Sequence, residues 1–232
     1  MKRTFFSLAL LLAVATLTAQ TKMTAREAAV KIADRILAST TYEFKNTKTG
    51  EIYKSVKKLP LDMDVKVACK YNNWHYTNGV TNMALMELGD KLGDKKYEKY
   101  VLKNMNFVFN EGNLDFFRKQ YDEAFKRDGW NAVRKLSWHM IFRGKRLDDN
   151  GPMGASLIEL QLKYPNDSFL GYINETAEHL NYGEPRLVDG TIARIWPHVN
   201  TIWADDAFMA ISFLARMGKL TGCLLYTSPS PR

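Results

Sequence analysis

Apolar residues recur at three- and four-residue spacings along most of the chain, and strand-like alternation is rare. In "AREAAVKIADRILAS" (Ala25 to Ser39), alanines and branched apolar residues share one face, charges take the opposite one, and Thr24 stands in front as an N-cap. An amphipathic helix is predicted there. "NGVTNMALMELGDKLG" and "DKKYEKYVLKNMNFVF" read as two further helices, parted at Gly93-Asp94 by a C-capping glycine and an N-capping aspartate. Together they predict a helical hairpin.

The layout returns in "GASLIELQLKYPNDSFLGYINETAEHL", where Ala155, Leu157, Glu159 and Leu160 echo Ala84, Leu85, Glu87 and Leu88, and Asn166-Asp167 takes the corner. It returns again in "AFMAISFLARMGKLTG". Copies at intervals of roughly 55 to 75 residues signal a helical repeat, since one such pair cannot bury its apolar face alone. Two architectures use helix pairs in this way: an open solenoid, and a closed ring whose inner helices surround a central cavity. The linkers "YNNWHYTNG", "FRGKRLDDNGPMG" and "VDGTIARIWPHVNTIWADD" are long, rich in Trp, His, Asp and Gly, and each ends where an inner helix begins. Solenoids favour short connections, so these linkers point to a ring with a site at one end.

The ends of the chain differ in character from its middle. Lys2 and Arg3 precede an apolar run from Phe5 to Leu17, and Leu17-Thr18-Ala19 leads into Gln20. Residues 1–19 are therefore expected to be a cleaved signal peptide, since the run is too short to span a bilayer. No cysteine follows to carry a lipid, so the protein is expected to be secreted or periplasmic in a bacterium, without a membrane anchor after cleavage. At the other end, "CLLYTSPSPR" (223–232) abandons the amphipathic pattern and reads as a non-native tail from a sequencing artefact. Residues 20–222 then form a single domain with a sizeable core.

The formal net charge of +8 falls to +5 once Lys2, Arg3 and Arg232 are set aside. The basic residues are scattered among acids, which gives no nucleic-acid footprint. Cys69 is the one cysteine outside the tail, and four dispersed histidines without an HExxH spacing suggest no metal site. Five tryptophans, eleven tyrosines and twelve phenylalanines can fill a core or stack on sugar rings.

Chemistry-bearing side chains gather at the three inner-helix starts: Trp74, Tyr76 and Asn78; Asp148 and Asp149; His198, Trp203, Asp205 and Asp206. Paired carboxylates beside aromatic platforms suit acid/base work on a sugar, where one group delivers a proton and another orients water or stabilises charge. An aspartate at a helix start is equally suited to capping, which is the alternative at Asp94, Asp167 and Asp206. Asp205 lies between a tryptophan and an apolar run, an arrangement expected to desolvate the carboxyl and so to suit a proton donor. His75 and His139 fit hydrogen-bonded core positions as readily as a site, whereas His198 lies in a loop seven residues before Asp205. Met83, Met86, Met209 and Met217 follow helical spacing and are read as core.

Three segments in order, "WHYTNGVTNMALMELGDKLGDKKYEKYV", "LDDNGPMGASLIEL" and "DGTIARIWPHVNTIWADDAFMAISFLARMGKLTG", resemble glycoside hydrolase families 88 and 105, the unsaturated glucuronyl and rhamnogalacturonyl hydrolases. The resemblance implies an all-α (α/α)6 barrel, a six-hairpin toroid. Cys223 stands where the family has aspartate, so the domain is expected to be truncated to roughly its first half. The implied partner is an unsaturated oligosaccharide, whose terminal 4,5-unsaturated uronic acid is removed by hydration of the double bond without metal or cofactor. By the same resemblance Asp205 is the general acid and then base, and Asp149 the second essential carboxylate. Trp74 and Tyr76 line the substrate site, Trp203 stacks on the sugar, and Asp206 is a cap. Arg194 and His198, from their charge and place in the loop, are expected to hold the uronate carboxylate. A non-catalytic glycan-binding toroid, an inactive fragment, or another toroid enzyme such as an epimerase or mannosidase are the alternatives.

Overall fold

A computed structural model describes residues 23–143 and 146–223. The expected signal peptide and the tail beyond Cys223 lie outside the described residues. Eight α-helices and one small sheet make up the described chain. Helix α1 (Ala25–Ser39) starts and ends where its periodicity predicts. Thr24 Oγ1 accepts from the Glu27 N–H at 3.2 Å while Glu27 Oε2 accepts from the Thr24 N–H at 2.8 Å, a capping box that satisfies donors on both sides of the helix start.

The sheet was not legible in the pattern. Strands β1 (Phe44–Asn46), β2 (Ile52–Tyr53) and β3 (Val65–Val67) pair antiparallel in the order β2-β1-β3, with Phe44 opposite Val67 and Asn46 opposite Val65. Strands of two or three residues are too short for alternation to register. Phe44, Val65 and Val67 are buried, and Phe44 meets the rings of Phe107, Phe116 and Phe117 at centroid separations of 5.7 to 5.9 Å. Ten aromatic side chains among the described residues, Phe44 one of them, are buried, so the core takes up only part of the aromatic content.

Helices α2 (Tyr76–Leu92) and α3 (Lys96–Val108) form the first hairpin. Gly93 closes α2 in the left-handed region at φ +67°, and the Asp94 carboxylate accepts from the Lys96 N–H at 3.0 Å, as their residue types predict. Helix α4 (Glu111–Val133), kinked where Gly129 adopts φ +52°, and the short α5 (Met140–Arg143) occupy the stretch before the second hairpin.

That hairpin consists of α6 (Leu147–Lys163) and α7 (Asp167–Glu178). Helix α6 starts seven residues before Gly154, so the Leu-Asp-Asp motif expected in a linker lies in its first turn, and Pro152 is inside the helix. Asn166, rather than Asp167, caps α7: its Oδ1 accepts from the Ser168 and Phe169 N–H groups at 2.9 and 3.4 Å. A π-helical turn, His179–Gly183, extends α7, and a loop leads to α8 (Ala204–Thr221), closed by Gly222 at φ +69°.

Helix α6 is buried around nearly its whole circumference between α2 and α8. The three run parallel. Gly79 of α2 meets the Pro152 backbone and Asp90 meets Lys163 further on, while Gly151 of α6 meets Met209 and Glu159 meets Arg216. Helices α3 and α7 return against α2 and α6, so the three central helices begin at the same end. Among the described residues no helix is long and apolar enough to cross a membrane.

Candidate active site

The close approach of α6 and α8 at Gly151 brings their first turns together. Carboxylate oxygens of Asp148, from α6, and of Asp205 and Asp206, from α8, all lie within 4.8 Å of one another. The α7–α8 loop supplies the counter-charge. Arg194 is fixed by its N–H donating to the Thr201 carbonyl at 2.8 Å and by the Asn200 N–H donating back to its own carbonyl at 2.9 Å. Its guanidinium donates from Nε and Nη2 to the two oxygens of Asp206, each at 2.6 Å, and lies 3.7 Å from Asp148. The Trp203 ring lies 4.1 Å from the same guanidinium.

Several expected roles change with this geometry. Asp206 is not a cap: it is buried and bound to Arg194, and Trp203 holds the N-cap position without a side-chain bond. Arg194, expected to grip a substrate carboxylate, is engaged by a carboxylate of the protein itself. Asp205 is exposed, because Trp203 turns over Arg194 and the buried residues of α8 (Asp206, Met209, Ala210 and Phe213) lie on another side of the helix. The desolvation expected from its sequence neighbours therefore falls on Asp206. Trp203 keeps 41% of its surface exposed, enough to meet a ligand.

Asp149 is fully buried, and both of its oxygens accept from the Arg143 guanidinium. Burial raises its carboxyl above the ordinary range, against the opposing pull of Arg143. Its backbone carbonyl accepts from the Trp74 indole N–H at 2.7 Å. Trp74 is itself fully buried, packed on Tyr172, Phe109 and Trp138, so it supports Asp149 from behind instead of lining an open surface. Tyr76 is exposed at the start of α2, its ring 4.5 Å from that of His75. His198 is exposed in the α7–α8 loop, joined to Thr201 through its carbonyl.

Beside the carboxylates opens a cleft of about 520 Å³, lined by Arg146, Asp148, His179, Glu184, Arg194, Trp196 and Asp206 among others. Four of these, Arg146, His179, Glu184 and Trp196, were not singled out from the sequence. His179 Nε2 and Glu184 Oε1 are 2.9 Å apart. Burial raises the Glu184 carboxyl, with His179 opposing. A Cβ on Gly183 would lie 2.4 Å from His179 Nδ1, so glycine there lets the imidazole fold back onto the π turn. The available signal was "HLNYGEP", where His and Glu five residues apart flank a glycine at the end of a helical run.

Neighbouring carboxylates in the first turns of two parallel helices, an arginine between two of them and a cleft with exposed indoles make an arrangement suited to proton transfer on a sugar. No individually curated protein matches the chain. The family model described as Glycosyl Hydrolase Family 88 matches residues 56–227, which takes in every side chain of the carboxylate group and the cleft. The chain therefore belongs to Glycosyl Hydrolase Family 88 and is a glycoside hydrolase with that family's all-α, helical-hairpin architecture.

Proposed function

We propose that the protein removes a terminal 4,5-unsaturated uronic acid from lyase-generated oligosaccharides by hydrating its C4=C5 double bond. Asp205 is the catalytic acid. Its exposed carboxyl delivers a proton to C4 of the vinyl ether, the electron pair of the double bond forming the new C–H bond. The cation left at C5 is stabilised by the ring oxygen, and the Asp205 carboxylate then takes a proton from the water that adds there. The C5 hemiketal opens to a ketone, C1 collapses to an aldehyde, and the remaining sugar leaves as an alcohol, with one water consumed overall. Asp148 presents a second carboxylate beside Asp205, while Asp149, tied to Arg143 and Trp74, positions the first turn of α6. The exposed Trp203, Tyr76 and His198 are placed to contact the oligosaccharide. Secretion or periplasmic location suits an enzyme acting on fragments of extracellular polysaccharide.

The convergence of Asp148, Asp205 and Asp206 at the junction of α6 and α8 carries this reading, together with family membership. The test supplies protein expressed from its contiguous gene with unsaturated disaccharides and follows the ultraviolet band of the conjugated double bond. The band should decay, with one deuterium incorporated at C4 when the solvent is D2O. Asp205→Asn should stop the decay while the helical circular dichroism and saccharide binding persist. Undiminished decay in that variant, or equal cleavage of saturated glycosides, would overturn the mechanism. Binding without decay by the unsubstituted protein would favour a glycan-binding role.

A further inference from the structure

We infer that Arg146, backed by Trp196, is the group in the cleft that recognises the substrate's carboxylate and selects acidic sugars over neutral ones. The inference rests on the proposed uronyl hydrolysis and assigns its specificity to a residue outside the expected set. Three carboxylates line the cleft, Asp148, Glu184 and Asp206, and Asp205 stands next to them. A bound uronate would be repelled by this surface unless a cation in the cleft were available to it.

The lining holds three basic side chains. Arg194 is committed: both arms of its fork end on Asp206 at 2.6 Å, Asp148 adds a further attraction, and its flat face is against Trp203. His179 is taken up by Glu184 at 2.9 Å, with Gly183 packed against its ring. Arg146 differs from both. It is exposed, and among the described residues no carboxylate lies within ion-pair distance of it. Its guanidinium sits 5.8 Å from the centroid of the Trp196 ring, which is itself 64% exposed. Placing an arginine over an indole holds the planar fork without occupying its donors, which leaves them for a two-point contact with a carboxylate.

Location favours the same assignment. Arg146 immediately precedes α6, two residues before Asp148, whose carboxylate lies within 4.8 Å of that of Asp205. A sugar whose carboxylate is held by Arg146 therefore lies beside the proposed proton donor. The exposed indole of Trp196 offers an apolar surface for the C–H face of that sugar.

The test compares an unsaturated uronyl disaccharide with its methyl ester, which adds one methyl group and removes the charge. The unsubstituted protein should prefer the acid. In Arg146→Gln the KM for the acid should rise roughly 10- to 100-fold, the range of a lost charged hydrogen bond, and the acid-over-ester ratio of kcat/KM should collapse toward one. Arg194→Gln should keep that ratio, whatever it does to the rate. Retention of the acid preference in Arg146→Gln, or its loss in Arg194→Gln alone, overturns the assignment. Calorimetric binding of a saturated uronyl disaccharide and its ester gives the same comparison without turnover. Failure of the hydration chemistry is thereby distinguished from failure of the recognition site.

Discussion

At Asp149, burial and ion pairing act against each other, and the balance can be measured. Burial is the larger influence and lifts the carboxyl above its ordinary 3.8, while Arg143 pulls it down. A carboxyl whose folded value is raised binds its proton more tightly in the folded state. Its stabilising contribution is then greatest below 3.8 and is lost as pH rises toward the folded value. Arg143→Met removes the opposing cation and leaves a buried, unpaired carboxylate. We expect this to destabilise the protein by about 3–5 kcal/mol near neutral pH. The deficit should shrink as the pH is lowered from neutral toward the ordinary 3.8, as Asp149 takes up a proton. Chemical denaturation of both proteins across that range checks this, and a deficit independent of pH would show that Arg143 does not serve to neutralise Asp149. The family resemblance singled out Asp149 and Asp205 at two helix starts, yet periodicity alone could not say which of each adjacent pair would be buried. Successive residues on a helix point about 100° apart, so that choice depends on how α6 and α8 are rotated about their axes. Their mutual contact at Gly151 settles it: Asp206 turns in to Arg194 and Asp149 to Arg143, while Asp148 is half-buried and Asp205 exposed, and Asp148, Asp205 and Asp206 keep their carboxylates within 4.8 Å of one another.

Between elements, the deciding positions are glycines at helix crossings. A Cβ on Gly151 would lie 2.1 Å from the Met209 carbonyl oxygen, and one on Gly79 would lie 2.3 Å from the Pro152 carbonyl carbon. Both obstacles are backbone atoms, so no side-chain rotation can relieve them. Gly151→Ala must push α6 and α8 apart, at a cost of about 1–3 kcal/mol or more, and must separate Asp148 from Asp205. Gly171 of α7 is exposed, with open space for 4 Å around the place a Cβ would take, and Gly171→Ala should stabilise by about 0.4–1 kcal/mol. Denaturation midpoints should move in opposite directions for the two variants, with hydrolysis lost only in Gly151→Ala. Equal tolerance at both sites would show that the α6–α8 crossing is not tight. The same glycines explain where the sequence misled. Gly151 and Pro152 carry the composition of a linker, which moved the expected start of α6 to Gly154, whereas Gly151 permits contact with α8 and Pro152 presents its backbone to Gly79. Helix α1 was legible to the residue because its capping box is local, and the sheet was not, because its short strands acquire meaning only against Phe107, Phe116 and Phe117.

Across the molecule, the site and a second ion-pair group occupy opposite ends of α6. Lys163, the last residue of that helix, lies roughly 22 Å along the axis from Asp148 at 1.5 Å per residue. Its ammonium contacts Glu98 of α3 at 2.5 Å and Asp90 of α2 at 3.3 Å, and the Tyr164 hydroxyl donates to Glu98 at 2.5 Å. These bonds tie the first hairpin to the end of α6. Lys163 and then Tyr164 hold the Glu98 carboxyl below its ordinary 4.5, and Glu98 in turn holds the Lys163 ammonium above its ordinary 10.5. For a carboxyl with a lowered folded value, the stabilisation is fully present above 4.5 and is lost as pH falls through the folded value. For a lysine with a raised folded value it is fully present below 10.5 and is lost as pH rises through the folded value. The difference in stability between the unsubstituted protein and Glu98→Gln should therefore form a plateau between those limits and narrow beyond each. Because the group is remote from the cleft, kcat/KM near neutral pH should be the same in both proteins. Thermal unfolding from acid to alkaline pH, paired with the double-bond assay, reads both quantities. A stability gap that persists unchanged into acid would mean that Glu98 acts through packing instead of charge, and a loss of turnover would mean that the two ends of α6 are coupled.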